Sequence, residues 1–121
     1  MVIAEIGHNE QAFEAITNQL KSTQFKKGIA VLSFSNDKDL SKIINKLPKT
    51  LTYYLTKSTS DRAMKCHELK SYFSGYKTTY FTDYKEAYIT ALQKSNEEDL
   101  IFIGGSAFLV GDILSDFFSD T

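Results

Sequence analysis

The sequence predicts one α/β domain over residues 1–121, a three-layer fold with a predominantly parallel sheet of about five strands and helices on both faces. Three observations carry this. Short runs rich in β-branched and aromatic residues alternate with stretches that are apolar at helical spacing, which is the rhythm of consecutive βαβ units. Two of the runs, Ile29-Ala30-Val31-Leu32 and Leu100-Ile101-Phe102-Ile103, are apolar without alternation, as strands are when both faces are covered. A chain of 121 residues with no internal repeat, linker or low-complexity tract is one domain, large enough to bury its own core without disulfides or metal. Crossovers between parallel strands are expected to be right-handed.

The elements follow in order. Val2 to Ile6 reads as the first strand. After Gly7-His8, Asn9 is placed to cap a helix whose inner stripe is Phe13, Ile16 and Leu20. Ile29 to Phe34 is the second strand, and Asn36 or Asp37 caps a helix with the stripe Leu40, Ile43, Ile44 and Leu47, stopped by Pro48. Leu51 to Leu55 is the third strand. The next stripe is Ala63, Cys66, Leu69 and Phe73, closed by Gly75. Thr78 to Phe81 is the fourth strand, followed by Asp83 as cap and the stripe Tyr84, Ala87, Tyr88, Ala91 and Leu92. Leu100 to Ile103 is the fifth, followed by Ser106 as cap and the stripe Ala107, Val110, Leu114 and Phe117. The acidic tail from Ser115 to Thr121 is expected to fray.

Composition excludes several classes of function. Net charge is −1 and the basic residues are scattered, so there is no electrostatic footprint for nucleic acid. Lys26-Lys27 reads as a solvated turn before a strand, and most of the tyrosines and phenylalanines sit at periodic core positions. No apolar stretch approaches the ~18 residues of a membrane span. The lone Cys66 and the lack of a signal-peptide pattern predict a cytoplasmic, reducing environment. The histidines and the cysteine show no metal-ligand spacing, because Cys66 and His67 are adjacent and face apart on a helix. No nucleophile elbow is present, and Cys66 falls on a buried stripe where a thiol is inert.

In a parallel sheet of this kind, ligands gather at the carboxyl ends of the strands. Those ends carry Gly7-His8-Asn9, Ser35-Asn36-Asp37-Lys38-Asp39, Lys57 to Arg62, Thr82-Asp83 and Gly104-Gly105-Ser106. His8 and Asn9 open a helix, whose free N–H groups and dipole favour an anion, phosphate above all. Asp37 and Asp39 suit a helix start, whereas Lys38 does not, unless it faces an anionic ligand or pairs with those carboxylates. Gly104-Gly105-Ser106 is neither a dinucleotide fingerprint nor a phosphate loop; it makes a tight turn with a serine cap, or it lets a ligand approach the backbone. Arg62 is a surface arginine or a bidentate carboxylate or phosphate contact.

Taken in order, these segments resemble the C-terminal domain of folylpolyglutamate synthase/dihydrofolate synthase, a relative of the Mur ligases with a Rossmann-like sheet. Glu5-Ile6-Gly7-His8-Asn9 resembles the family's Asp-x-(Ala/Gly)-His-Asn-Pro. Ser35-Asn36-Asp37-Lys38-Asp39 resembles its Lys/Asn-Asp-Lys-Asp turn, and Ser60-Asp61-Arg62-Ala63 its Pro-Arg-Ala. Asp99 to Ser106, followed by Phe108-Leu109-Val110-Gly111-Asp112, resembles its closing Gly-Ser-x-x-Leu-Val-Gly-(Glu/Asp). The resemblance implies an ATP-dependent ligase that adds glutamate to a folate through an acyl phosphate. It places Glu5, His8 and Asn9 at the nucleotide, and Lys38, Arg62 and Ser106 at the incoming glutamate. It assigns no catalytic or metal residue to this chain: the phosphate loop, the Mg ligands and most of the folate site are expected in a larger N-terminal ATPase domain. The isolated domain is therefore expected to be inactive. Glu5 stands where the family has aspartate, Glu10 where it has proline, and Asp61 where proline is common. The family's domain also usually begins with a strand upstream of the one at Val2, so the first strand here is expected to leave an open sheet edge. The alternatives are a stand-alone, non-catalytic module binding a nucleotide or anion, and the C-terminal domain of another Mur-type amino-acid ligase.

Overall fold

A computed structural model describes residues 1–5, 10–36 and 40–118, apart from the side chains of Glu10 and Cys66. The elements are β1 (Val2–Ala4), α1 (Glu10–Ser22), β2 (Gly28–Leu32), α2 (Ser41–Ile44), β3 (Thr52–Leu55), α3 (Cys66–Tyr72), β4 (Lys77–Tyr80), α4 (Tyr84–Lys94), β5 (Leu100–Gly104) and α5 (Ala107–Phe117). The strands form one parallel sheet in the order β1-β5-β2-β3-β4. The central strands β2 and β5 are buried along their whole length, which is what their unbroken apolar runs require. β1 and β4 are the edges, and both are largely exposed.

The strand order sorts the helices. The chain moves across the sheet in one direction from β1 through β2 and β3 to β4, then returns to place β5 between β1 and β2. Right-handed crossovers put helices on opposite faces for the two directions of travel. Burial follows that rule. Ala30, Leu32, Tyr53, Leu55, Leu100 and Phe102 pack with Phe13, Ile16 and Leu20 of α1, Ile43 and Ile44 of α2, and Leu69 of α3. The alternate residues Ile29, Val31, Tyr54, Ile101 and Ile103 pack with Ala87, Tyr88 and Ala91 of α4 and Leu109, Val110 and Ile113 of α5. Each large side chain sealed in either layer contributes roughly 1.5–3 kcal/mol by leaving water.

Five expectations are corrected. Asn36 does not cap α2: its N–H donates to the Arg62 carbonyl at 2.7 Å, and α2 starts after Leu40, whose side chain makes no cap bond. Asp37, the other expected cap, lies outside the described residues, as do Asn9 and Ile6. The third helix starts at Cys66 rather than Ala63, because Ala63 bridges antiparallel to Ser35 and the Met64 N–H donates to the Phe34 carbonyl. Arg62 therefore lies in a turn and not at a helix start. In α5 the inner stripe is Leu109, Val110 and Ile113, while Ala107 and Leu114 face outward. That helix is apolar on nearly every side, so two stripes fit its sequence, and only the contact with Ile101 and Ile103 chooses between them. Leu92, placed on the inner stripe of α4, is 44% exposed. Nor does the chain fray from Ser115, since α5 runs to Phe117, whose ring stacks edge-on against Tyr88 at 4.9 Å.

The caps at Asp83 and Ser106 form as read: Asp83 accepts from the Lys85 N–H at 2.8 Å and Ser106 from the Phe108 N–H at 3.2 Å. The Lys26-Lys27 turn is held by acidic partners, Lys26 with Glu98 at 2.6 Å and Lys27 with the buried Asp99 at 3.7 Å. Among the described residues no helix is long and apolar enough to cross a membrane.

Candidate functional site

The topology decides where a site can form. The segment after β5 leads to α5 on one face, whereas those after β1 and β2 lead to α1 and α2 on the other. The chain thus parts at the carboxyl end of β5 from both of its neighbours, and such a crevice is where open α/β sheets bind ligands. Glu5 stands at the rim, half-exposed, with its N–H donating to the Ile103 carbonyl at 3.0 Å. His8, Asn9 and Lys38 lie outside the described residues.

Gly104-Gly105-Ser106 closes the floor of the crevice. Gly105 has φ +87°, and a Cβ there would sit 2.4 Å from the Ser33 carbonyl oxygen and 3.1 Å from the Phe34 ring. At Gly104 a Cβ would meet the Phe102 ring at 2.7 Å. Of the two readings of this pair, the tight turn wins: the close approach is made by the protein's own β2 end and by Phe102. Ser106 is buried, and its hydroxyl oxygen caps α5. Its role in the described structure is to start that helix at the crevice.

Arg62 is carried by the turn between β3 and α3, and this turn is bonded along its length. The Ser58 N–H donates to Ser33 Oγ, the Ser60 N–H to Ser58 Oγ, and the Arg62 N–H to Ser60 Oγ, each at 3.2 Å. The Arg62 carbonyl accepts from Asn36 and the Phe34 carbonyl from Met64, both at 2.7 Å. The bridge Ser35–Ala63 lies between them. The two motifs Ser35-Asn36 and Ser60-Asp61-Arg62-Ala63, apart in sequence, are thereby zipped together beside the end of β2. Arg62 is exposed and lines a hollow of about 400 Å³ with Thr59, Ser60, Asp61 and Phe108. Phe108, on the first turn of α5, is 62% exposed. The same turn also borders a wider groove of about 580 Å³ that includes Lys57, Lys65 and Tyr84.

Sequence reading put Thr59 in the strand-end segment Lys57 to Arg62, and Phe108 and Asp112 in the closing motif, but named none of them as a site residue. Asp112 accepts from the Thr59 N–H at 2.9 Å and from Thr59 Oγ1 at 3.0 Å to each carboxylate oxygen. The run Ser58-Thr59-Ser60 hints at a hydroxyl-bonded turn, but no sequence signal pairs residues 53 apart. Nearby, the Tyr84 hydroxyl donates to Asp116, and that bond, followed by desolvation, pushes the phenol well above its ordinary range.

Chemically, the hollow beside the turn offers a guanidinium, an exposed aromatic ring and several hydroxyls, while Glu5 stands separately at the end of β1. A guanidinium suits a carboxylate or phosphate. Glu5 suits a hydroxyl or amino donor and would repel phosphate, so it fits the nucleoside end of a nucleotide and not its phosphate end. No group of three or more His, Cys, Asp or Glu residues converges among the described residues.

Residues 1–107 match the sequence model of the family described as Mur ligase, glutamate ligase domain. No curated protein matches the chain in sequence. Among solved structures, the chain superposes on Escherichia coli FolC in complex with DHPP and ADP with a TM-score of 0.84 at 22% identity, over 94% of this chain and 28% of that one. It superposes on bifunctional folylpolyglutamate synthase/dihydrofolate synthase from Yersinia pestis, complexed with AMPPNP and Mn ion, with a TM-score of 0.86 at 21% identity, over 98% of this chain and 28% of that one. For Mycobacterium tuberculosis folylpolyglutamate synthase complexed with ADP and AMPPCP, the TM-score is 0.86 at 21% identity, over 98% and 30% of the two chains. The chain thus spans under a third of the length of these structures, and at such identities the likeness is one of fold. With most of its length matched by the family model and its parallel sheet shared with these structures, the chain belongs to the Mur ligase glutamate ligase domain family.

Proposed function

We propose that this chain is the C-terminal domain of an ATP-dependent folylpolyglutamate synthase-type ligase, which adds glutamate to a folate. The observation that carries the reading is the zipping of Ser35-Asn36 onto the Arg62 turn beside the β5 crevice, in a chain of the glutamate ligase domain family. In the reaction, the folate carboxylate takes the γ-phosphoryl group of ATP. The glutamate amine, having lost a proton, then attacks the acyl carbon; the C–N bond forms, the C–O bond to phosphate breaks, and inorganic phosphate leaves.

This chain's share is binding and orientation. Arg62 holds a glutamate carboxylate, with Lys38 as the second cation for a dicarboxylate and Ser106 at the crevice floor. Glu5 contacts the nucleoside part of ATP, and His8 and Asn9 its phosphates. Mg and the phosphate loop belong to a partner N-terminal ATPase domain. That domain also supplies most of the folate site, and the working compartment is the cytoplasm.

The test is turnover. The 121-residue chain is expected to hydrolyse no ATP by itself. Joined to a folylpolyglutamate synthase-type ATPase domain, it is expected to support glutamate-dependent ADP release. Robust ligation by the chain alone, or ADP release indifferent to glutamate in the joined protein, overturns the reading.

A further inference from the structure

We propose that Asp112 is a positioning residue for the amino-acid substrate: it fixes the turn that presents Arg62, acting from the helix on the opposite face of the sheet. The proposal rests on the reading of Arg62 as the glutamate carboxylate's partner.

At Arg62 the turn is tied by the Asn36 N–H at 2.7 Å, but from Ser58 to Ser60 it is held by neutral amide-to-hydroxyl bonds of 3.2 Å, one of them to Ser33 at the end of β2. Bonds of that length between uncharged groups are modest. The tie to α5 is different in kind. One carboxylate receives both the backbone N–H and the hydroxyl of Thr59, at 2.9 and 3.0 Å. Charge-assisted bonds to a carboxylate are stronger than neutral ones, and two donors from one residue fix its orientation as well as its place.

The geometry makes this tie matter. β3 carries the turn, β5 carries α5, and β2 lies between them. The Thr59–Asp112 clasp therefore reaches past the end of β2, where Ser33 already bonds Ser58 on one side and Gly104 on the other. It joins the front-face turn to the back-face helix at the point where the crevice opens. Thr59 also lines the hollow that holds Arg62 and Phe108, and Asp112 lines the next hollow with Phe108. Removing the carboxylate frees Thr59 and loosens the turn on the side away from the Asn36 tie, so the Arg62 side chain is placed less firmly relative to Phe108. The Arg62 side chain itself is unchanged, so the loss is one of placement.

The experiment compares wild type with D112N, D112A, T59V and R62A. Hydrogen exchange at the Thr59 to Arg62 amides reads the clasp, and amide shifts during titration with L-glutamate read the site. D112A is expected to speed exchange at Thr59 and to weaken glutamate about tenfold or more, with D112N intermediate because its amide retains one acceptor. T59V keeps the backbone donor, so it is expected to lie near D112N; it supplies the comparison should D112A fail to fold. Unchanged Thr59 exchange in D112A and T59V overturns the clasp. Faster exchange with glutamate affinity within twofold of wild type overturns the positioning role. Intact glutamate binding in R62A, or none in wild type, overturns the Arg62 reading and leaves the exchange result to judge the clasp alone.

Discussion

Gly105→Ala is expected to be among the most damaging single-methyl changes in the chain. Its φ of +87° is a conformation that side-chain-bearing residues avoid at a cost of about 1–2 kcal/mol. Added to this is crowding: the new Cβ would lie 2.4 Å from the Ser33 carbonyl oxygen, with the Phe34 ring at 3.1 Å behind it. Neither neighbour can swing aside. Ser33 is fully buried, and its N–H donates to the Gly104 carbonyl; Phe34 is wedged against Phe13 and Phe73. Overpacking of this kind costs roughly 1–3 kcal/mol. The sum is about 2–5 kcal/mol, and at about 4 °C per kcal/mol for a chain of this size the midpoint falls by roughly 8–20 °C. Gly111→Ala is the internal control. It too adds one methyl to a glycine, but in the interior of α5 with nothing within 4 Å, so it is expected to stabilise by about 0.5–1 kcal/mol. Urea unfolding of both variants, fitted with a common m-value, gives the two free energies. A Gly105→Ala protein within about 0.5 kcal/mol of wild type, or a Gly111→Ala protein that loses as much, would refute the argument from backbone conformation and crowding.

Ser106→Ala removes the acceptor for the Phe108 N–H and is expected to cost about 1 kcal/mol, with Ser106→Gly milder, as read by thermal unfolding. Phe13→Ala, at a fully buried position of α1 packed on Phe34, is expected to cost roughly 3–5 kcal/mol in the same assay. Alkaline stability follows from the tyrosines: desolvation raises Tyr53, Tyr54, Tyr76 and Tyr88, and the Asp116 bond raises Tyr84. Groups with raised folded values stabilise fully below the unfolded value near 10 and lose that contribution above it, because the unfolded chain gives up its protons first. Stability is therefore expected to fall as pH rises past about 10, with tyrosinate absorbance rising cooperatively as the chain unfolds; gradual ionisation without unfolding would contradict it.

Much of the architecture was legible because it depends on local patterns. The unbroken apolar runs at Ile29 and Leu100 announced the two central strands, and Asp83 and Ser106 announced helix starts, since a cap bonds to residues two positions away. Where local pattern gave two answers, the sequence could not choose. α5 has apolar residues on both sides, so its inner stripe was settled only by the sheet face it met. Asn36 has the chemistry of a cap, but α2 starts only after Leu40, and the Ser35-Asn36 segment pairs instead with Arg62 and Ala63 across the fold.

The site divides along the same line. Sequence determined which residue types stand at the strand ends, because strand ends follow from the strands: Glu5 closes β1 and Ser106 opens α5 after β5, whereas Arg62 sits in a turn that the pairing with Asn36 shapes. The order of the strands was decided by tertiary structure, since hydrophobic periodicity places a strand in a layer without naming its neighbours. That order inserts β5 between β1 and β2 and so opens the crevice. Tertiary structure also decided that Gly105 is pressed against Ser33, and that Asp112 grips Thr59 from a helix on the other face. Both are contacts between chain segments brought together by packing, and no periodicity in a single chain encodes them.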